Sequence, residues 1–396
     1  MSDNQNNQNT QESLAGFLSE IVDFSPKIDC PIAPYTTWGV GGNADILVEL
    51  NDSQKLPELA NIAVKHHIPI RILGRGANVL VPDHGIHGLV IINKSRKIEI
   101  HDLNSNSATT LNSIENAVNE QNSLSWDNKN LNKASLDTAI DKTIIPPRHG
   151  ESGSDMYSFE DLDFEEIGEK VLVKFDSGVD VGYATSITLS RGLTGLQWFA
   201  YIPSTMGGAL YNNIHGGTHH LAEYFHSATA LFPEYDSNKI LTSYKQVTVS
   251  LEDMHFGYDQ SLLRENSDVI IVDITLELYK PDDAEIVAKA KKTAQIWAKR
   301  KSIQPRMSAG CVFKNILTAD QVRLNLPVPS SGYITDRILN LKGYTVGDAE
   351  VAHGHASFIV NKGKATSSDI QQIINHIQSE TKAQLGIELD PEINIL

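Results

Sequence analysis

The chain has 396 residues, 40% of them hydrophobic, which is enough for a sizeable core spread over two or three domains. Its formal net charge of -16 argues against a nucleic-acid or anionic-membrane partner, since both select a basic surface. Cys30 and Cys311 stand far apart in unlike contexts, which excludes a disulfide framework and fits a reducing compartment.

Residues 1–11 are polar and Asn/Gln-rich and read as a disordered tail with no apolar signal region. No apolar run reaches the roughly 18 residues of a membrane span, so the reading is a cytoplasmic protein with no membrane partner. Leu14 to Val22 has the spacing of a short amphipathic helix. Ala44–Glu49, Ile70–Leu73, Val79–Val81 and Leu89–Asn93 are short apolar runs bounded by glycine and polar residues, the mark of strands. Leu56–His66 between them has helical spacing, so residues 12–102 read as a first α/β or α+β unit. Residues 103–166 break the pattern. Their first half holds nine asparagines and their second half is acidic, so they read as an inserted low-complexity loop.

Order returns with a strand at Val171–Phe175 and a helix at Tyr183–Ser190, ahead of the glycine-rich stretch Gly192–Gly217. Strands at Ser227–Phe232, Tyr244–Val249 and Asp268–Tyr279 follow, then an Ala/Lys-rich helix at Ala284–Lys301. Residues 167–300 thus form a second unit. Residues 301–396 form a third, with helices at Tyr333–Asn340 and Ser368–Leu385 around a strand at Ser357–Val360. Ser367 or Ser368 is the expected cap of the last helix. Lys289 to Arg306 is a basic island in an acidic chain. It suits a phosphorylated ligand as well as a solvated helix face.

Three segments have the composition of a phosphate cradle. In Gly39-Val40-Gly41-Gly42 and Gly74-Arg75-Gly76-Ala77-Asn78 the glycines let backbone N–H groups approach a diphosphate without Cβ clashes. Neither has the Rossmann spacing, and the second runs into the strand-like Val79-Leu80-Val81 and not into a helix. The third, Ile202-Pro203-Ser204-Thr205-Met206-Gly207-Gly208-Ala209, adds hydroxyls and the amides of Asn212 and Asn213. Toward the C-terminus, Ser308 to Asn315 sets Cys311 on a glycine turn, and Asp390-Pro391-Glu392 adds a carboxylate shortly before Ile393 to Leu396. A thiol with an ordinary pKa of about 8.5 is a protonated acid at neutral pH. His215, His219 and His220 cluster beside the third segment, but no carboxylate or cysteine spacing supports a metal there.

Taken in order, these pieces resemble the UDP-N-acetylenolpyruvoylglucosamine reductase family. They are Tyr35 to Asp45, Leu73 to Asp83, Gly195 to Asn213, Phe256-Gly257-Tyr258, Gln304-Pro305, Ser308 to Asn315, His355 to Asn361, and Leu389 to Glu392. The resemblance implies an α+β fold with a two-part FAD-binding region of the vanillyl-alcohol-oxidase type and a C-terminal α+β substrate domain. It also implies FAD and NADPH as cofactors and a UDP-sugar enolpyruvyl ether as substrate. Cys311 stands where the family carries its proton donor, commonly serine, and Glu392 matches the C-terminal acid.

The expected cofactor residues are Thr37, Gly39, Gly41, Gly42, Gly74, Arg75, Gly76, Ala77, Asn78, Val79, Leu80, Ile202, Pro203, Ser204, Thr205, Gly207, Gly208 and Asn213. Tyr258, Arg300, Lys314 and Asn315 are the expected substrate residues. The short segment Tyr279–Gln304 resembles the subclass without the tyrosine-bearing loop. Asp259 stands where the family usually has arginine, Ser204 replaces a usual glycine, and Tyr201 sits where glycine is common. Arg264 and Arg300 are the candidates to replace the missing charge. A related FAD-dependent sugar or alcohol oxidase, or a flavin- or nucleotide-sugar-binding protein without turnover, stand as alternatives.

Overall fold

The computed structural model describes residues 13–101, 108–111, 167–217, 219–302 and 304–396. Side chains are described at all of these except 108–111 and 300–302. The tail reading of residues 1–11, and the loop reading of 103–166 apart from residues 108–111, lie outside the described residues.

After helix α1 (residues 13–20), the first sheet takes β1 (Lys27–Pro31), β2 (Asn43–Leu50), β3 (Ile70–Leu73) and β5 (Ile86–Asn93), with α2 (Leu56–Lys65) before β3. The short β4 (Val79–Leu80) lies outside it, and the order is β1-β2-β5-β3. β5 runs parallel to both β2 and β3 and is buried along nearly its whole length, as a central parallel strand covered on both faces should be. Phe17 and Ile21 pack with Leu56, Leu59, Ala60 and Ala63 of α2 on one face of this sheet.

The second sheet has six strands, all antiparallel, and does not follow the boundaries expected from composition. β6 (Ile98–His101) and β7 (Ala108–Leu111) belong to it, paired beside β8 (Glu169–Asp176). The strand at 108–111 therefore corrects the reading of 103–166 as loop throughout, and β6 moves out of the first unit. Ile98 is buried against Phe175 across this pair, and alternation too short to register in composition is what recruits it.

Next come α3 (Val181–Ser190), α4 (Met206–Asn212), β9 (His215–Gly216) and β10 (His219–His220). β11 (Phe225–Tyr235), β12 (Leu241–Val249), α5 (Leu262–Glu265) and β13 (Ile270–Lys280) follow. The sheet order is β12-β11-β13-β8-β6-β7. Helix α6 (Ala284–Ser302) buries Ala290, Ala294 and Trp297 on the core that this sheet shares with α3 and α4.

The C-terminal part holds α7 (Thr318–Arg323), α8 (Ser331–Tyr333), β14 (Thr345–Val346), β15 (Ala349–Val351), β16 (Ile359–Asn361), α9 (Ser367–Leu385) and β17 (Asn394–Ile395). Where one helix is expected over Tyr333–Asn340, α8 passes into a wider π-type turn at Ile334–Ile338. α9 is capped by Thr366, one residue earlier than expected. Its side chain accepts from the Asp369 N–H while the Asp369 carboxylate accepts from the Thr366 N–H. Ile370, Ile373, Ile374 and Ile377 give it one buried stripe at helical spacing.

The C-terminal part is not independent of the first. Trp38 is fully buried in the C-terminal core and donates its indole N–H to the Ile359 carbonyl at 2.7 Å, while Asn361 returns a bond to the Trp38 carbonyl at 2.9 Å. Asp83 accepts from the N–H groups of Ser367 and Ser368, at 2.8 and 2.9 Å, at the start of α9.

Candidate functional site

A cavity of about 1720 Å³ is lined by all three parts of the chain. Of the expected cofactor residues, Thr37, Gly74 to Val79, Ile202 to Thr205, Gly207 and Gly208 line it. Tyr258, Cys311, Asn315 and Glu392 line the same space. Gly39, Gly41, Gly42, Leu80, Asn213 and Lys314 do not. The side chain of Arg300 lies outside the described residues.

The exceptions have physical reasons. A Cβ on Gly41 would fall 2.8 Å from that of Val81, and one on Gly42 would fall 2.3 Å from the Asp83 carbonyl. Within the first part, Gly41 makes room for the Val81 side chain and Gly42 lets backbone pack on backbone. Gly39, at φ +67°, abuts Met307 of the C-terminal part. Leu80 is buried in the C-terminal core. Asn213 caps α4 in the left-handed region, donates to the Gly257 carbonyl and accepts from the Ala222 N–H, both at 3.0 Å.

Whether the remaining residues fit a nucleotide cofactor is tested by two observations. The Thr37 hydroxyl is buried, lines the cavity and finds no partner in the protein. A Cβ on Gly74 would fall 2.4 Å from Thr205 Oγ1, so the Gly74 loop and the Ser204–Gly208 segment meet with no room for a side chain. Beside them, Arg75 bonds Asp180, whose carboxylate also accepts from the Tyr183 N–H at the head of α3. Glycine backbone, a guanidinium and an unused hydroxyl around one space form the donor set a diphosphate requires, and the residues fit.

Cys311 and Glu392 are brought together by backbone pairing. The Glu392 N–H donates to the Val312 carbonyl at 2.8 Å and the Lys314 N–H to the Asp390 carbonyl at 2.9 Å, with Phe313 bridged to Pro391. Cys311 follows Gly310, which has φ +82° and open space about it. Asn78 ties this pair to the glycine loop. Its amide donates to the Glu392 carbonyl at 3.2 Å, and its own carbonyl accepts from the Asn394 N–H at 2.9 Å. Tyr258 stands half exposed at the cavity. Burial of its hydroxyl, then the neighbouring Asp259, Glu392 and Cys311, push its pKa up to about 12.

Asp259 is 4% exposed, with one carboxylate oxygen buried and unpartnered. Arg264, a candidate to replace the missing charge, bonds Asn212 Oδ1 at 3.1 Å and lies over the Tyr211 ring, outside the cavity lining. Tyr201 has φ +69°, which accounts for glycine being common at such a position. The cavity also takes in Asn212 and Arg306, from the third cradle segment and the end of the basic island, and Ser177, Tyr211, His215 and Asn394, which sequence reasoning did not assign. Of these last four, His215 alone carried a signal, its neighbourhood with His219 and His220. Among the described residues no group of three or more His, Cys, Asp or Glu is arranged to hold a metal.

Comparison with known proteins agrees with this geometry. Residues 303–396 match the family model described as "UDP-N-acetylenolpyruvoylglucosamine reductase, C-terminal domain". The UDP-N-acetylenolpyruvoylglucosamine reductase of Anoxybacillus flavithermus is 28% identical over 368 residues, 92% of each chain. That of Moorella thermoacetica is 26% identical over 388 residues, 97% of each chain. The crystal structure of the enzyme of that name from Thermus caldophilus superposes with a TM-score of 0.56 at 21% identity. The match covers 93% of this chain and 97% of that one. Fold and site together define an α+β protein with the fold of the Thermus caldophilus enzyme and a large cavity lined by all three of its parts. Residues 303–396 match that family's C-terminal domain, and over nearly its whole length the chain is similar to UDP-N-acetylenolpyruvoylglucosamine reductases.

Proposed function

We propose that this chain is an FAD-dependent oxidoreductase that uses NADPH to reduce UDP-N-acetylglucosamine enolpyruvate to UDP-N-acetylmuramate, a step of peptidoglycan precursor synthesis. The observation that carries this reading is the convergence of Cys311 and Glu392 on the cavity lined by the Gly74 and Ser204 segments. Thr37, Gly74 to Val79, Ile202 to Thr205, Gly207 and Gly208 hold FAD, which when bound supplies the hydride that NADPH has delivered. No helix among the described residues is long and apolar enough to cross a membrane. A nucleotide-sugar substrate and the thiol chemistry suit the cytoplasm.

The protein's own residues do the rest. Hydride addition to the terminal carbon of the enolpyruvyl double bond leaves negative charge spread over the α-carbon and the carboxylate. Cys311 gives its thiol proton to the α-carbon, and the thiolate is reprotonated from solvent. Glu392, paired to the Cys311 segment, stands at the enediolate end and helps to return a proton from solvent to Cys311. Tyr258, kept neutral by a pKa of about 12, is a hydroxyl donor at every working pH. Asn315 lines the substrate side of the cavity. Lys314 and Arg300, from the basic stretch that closes α6, are assigned to substrate phosphates outside the described lining. The short Tyr279–Gln304 segment assigns the chain to the subclass without the tyrosine-bearing loop.

The test separates the half-reactions on FAD-loaded protein without oxygen. NADPH should bleach the flavin absorbance, and the enolpyruvyl substrate should restore it. Cys311→Ala should leave bleaching intact and slow restoration by about 10²- to 10⁴-fold, the usual contribution of a general acid, while Cys311→Ser retains part of it. Equal loss of both halves in Cys311→Ala would overturn the assignment.

A further inference from the structure

The loop that carries Tyr258 has an unusual construction. Gly257 and Gln260 exchange both backbone hydrogen bonds, at 3.1 and 3.3 Å, and close a tight turn with Tyr258 and Asp259 at its tip. Asp259 is held at φ +48°, a conformation a short polar side chain tolerates better than most. The Asn213 amide clips the base of the turn through the Gly257 carbonyl at 3.0 Å. The result drives the two tip residues apart. Tyr258 is 49% exposed, and Asp259 is 4% exposed with its Oδ2 buried and unpartnered.

The basic group facing Asp259 is an imidazole. His215 Nδ1 lies 3.9 Å from Asp259 Oδ1, and the same ring lines the cavity. Its place is fixed from below. A Cβ on Gly216 would fall 1.9 Å from the Trp198 carbonyl, so the β9 backbone sits flush on that segment. Across the β9–β10 pair, His220 is in register with His215, and their ring centroids are 5.7 Å apart. The Tyr258 ring centroid is 5.3 Å away on the other side. The remaining titratable groups at this end of the cavity are Cys311 and Glu392 from the C-terminal part. His219 pairs with Glu223 at 2.7 Å.

A buried carboxylate is tolerated only when a charge or several donors meet it. Arg264 is engaged by Asn212 Oδ1 and the Tyr211 ring, outside the cavity lining. His215 is the basic side chain that the structure sets against Asp259, and an imidazole so placed in the cavity wall can, when protonated, receive a second carboxylate. We propose that His215, oriented by Asp259, binds the carboxylate of the enolpyruvyl group and that Tyr258 is the second donor to it. His215 is then a catalytic residue, since it touches the group on which charge develops, and Asp259 is a positioning residue. The inference rests on the proposed function and assigns the part of the substrate that this corner of the site recognises.

The ligand chemistry separates this reading from a structural role. UDP-N-acetylmuramate carries the carboxylate, and UDP-N-acetylglucosamine lacks it. Calorimetric titration of FAD-loaded protein with each, from about pH 6 to 8.5, is the measurement. Wild type should bind the carboxylate ligand more weakly as pH rises through the imidazole range, by about tenfold, with no such trend for UDP-N-acetylglucosamine. His215→Asn should weaken the carboxylate ligand about 10- to 100-fold at pH 6, abolish its pH trend and change UDP-N-acetylglucosamine by less than about twofold. His215→Arg should restore affinity and hold it flat with pH. Asp259→Asn should shift the loss of affinity to lower pH.

Unchanged carboxylate binding in His215→Asn, or equal loss of both ligands, would overturn the assignment. Wild type that binds neither UDP-sugar would instead remove the proposed function on which it stands.

Discussion

Asn213 shows how little a side chain's type says about its work. Beside a glycine-rich run it reads as a cofactor ligand, yet it is 3% exposed and faces the protein. It sits at φ +44° as the cap of α4 and bonds both Gly257 and Ala222. Asn213→Ala loses two hydrogen bonds and forces alanine into the left-handed region, so it should destabilise by about 2–4 kcal/mol in urea unfolding. Asn213→Gly keeps the conformation and should recover about 1 kcal/mol of that. If both variants unfold like wild type and only FAD affinity drops, the ligand reading returns. Cys311, by contrast, is legible beforehand because the glycine turn and the residues after it form a local pattern. His215 is not legible as an Asp259 partner, since two residues far apart in sequence meet only through the β9 hairpin and the Gly257 turn.

At the level of elements, strands and helices with strong periodicity, such as β5 and α9, are visible in the sequence, and their ends are less so. The α9 cap shifts to Thr366 because only there does Asp369 complete the reciprocal pair. β6 and β7 are hidden because a four-residue strand lacks enough alternation to stand out from the asparagine-rich residues beyond it. Where β8 meets β13, Asp176 stands directly opposite Asp273, and both are buried. Lys174 answers Asp273 at 3.0 Å, whereas Asp176 keeps one oxygen without a partner. Burial above all, then the nearby Asp52 and Asp273, raise its pKa to about 6 from the ordinary 3.8.

The folded state therefore takes up this proton at higher pH than the unfolded chain does. Stability is lost as pH rises from near 4 to about 6, and the full penalty, about 2–3 kcal/mol, stands at neutral pH. Asp176→Asn should raise the urea midpoint at pH 7 by an amount of that order, less whatever the new amide leaves unbonded. It should leave the midpoint at pH 4 unchanged. A variant that is weaker at pH 7 would show that the carboxylate is ionised for a structural reason.

At the scale of the whole molecule, the site exists because the end of the chain returns to its beginning. β17 runs parallel to β4, pairing Asn394 with Val79 and Ile395 with Leu80, and the Leu396 N–H reaches the Leu80 carbonyl at 3.1 Å. Asn394 also accepts from the Tyr211 hydroxyl at 3.3 Å, so all three parts of the chain meet at this one residue. Parallel pairing between two two-residue strands at opposite ends of a sequence has no local signature, which is why Glu392 can be suspected from its motif while its partner loop cannot. The short strand holds Glu392 between the Asn78 loop and the Cys311 segment. Removing Asn394–Leu396 deletes a few half-exposed hydrogen bonds and little core, so the protein should lose about 2–3 kcal/mol and stay folded. The substrate half-reaction should suffer far more than that, because Glu392 then loses the strand that anchors the residues after it to the Asn78 loop. Stopped-flow traces should show NADPH bleaching the flavin at a wild-type rate and the enolpyruvyl substrate restoring it at least about tenfold more slowly. If both phases slow alike, the strand serves the FAD site as a whole, and Glu392 owes its placement to the Cys311 segment alone.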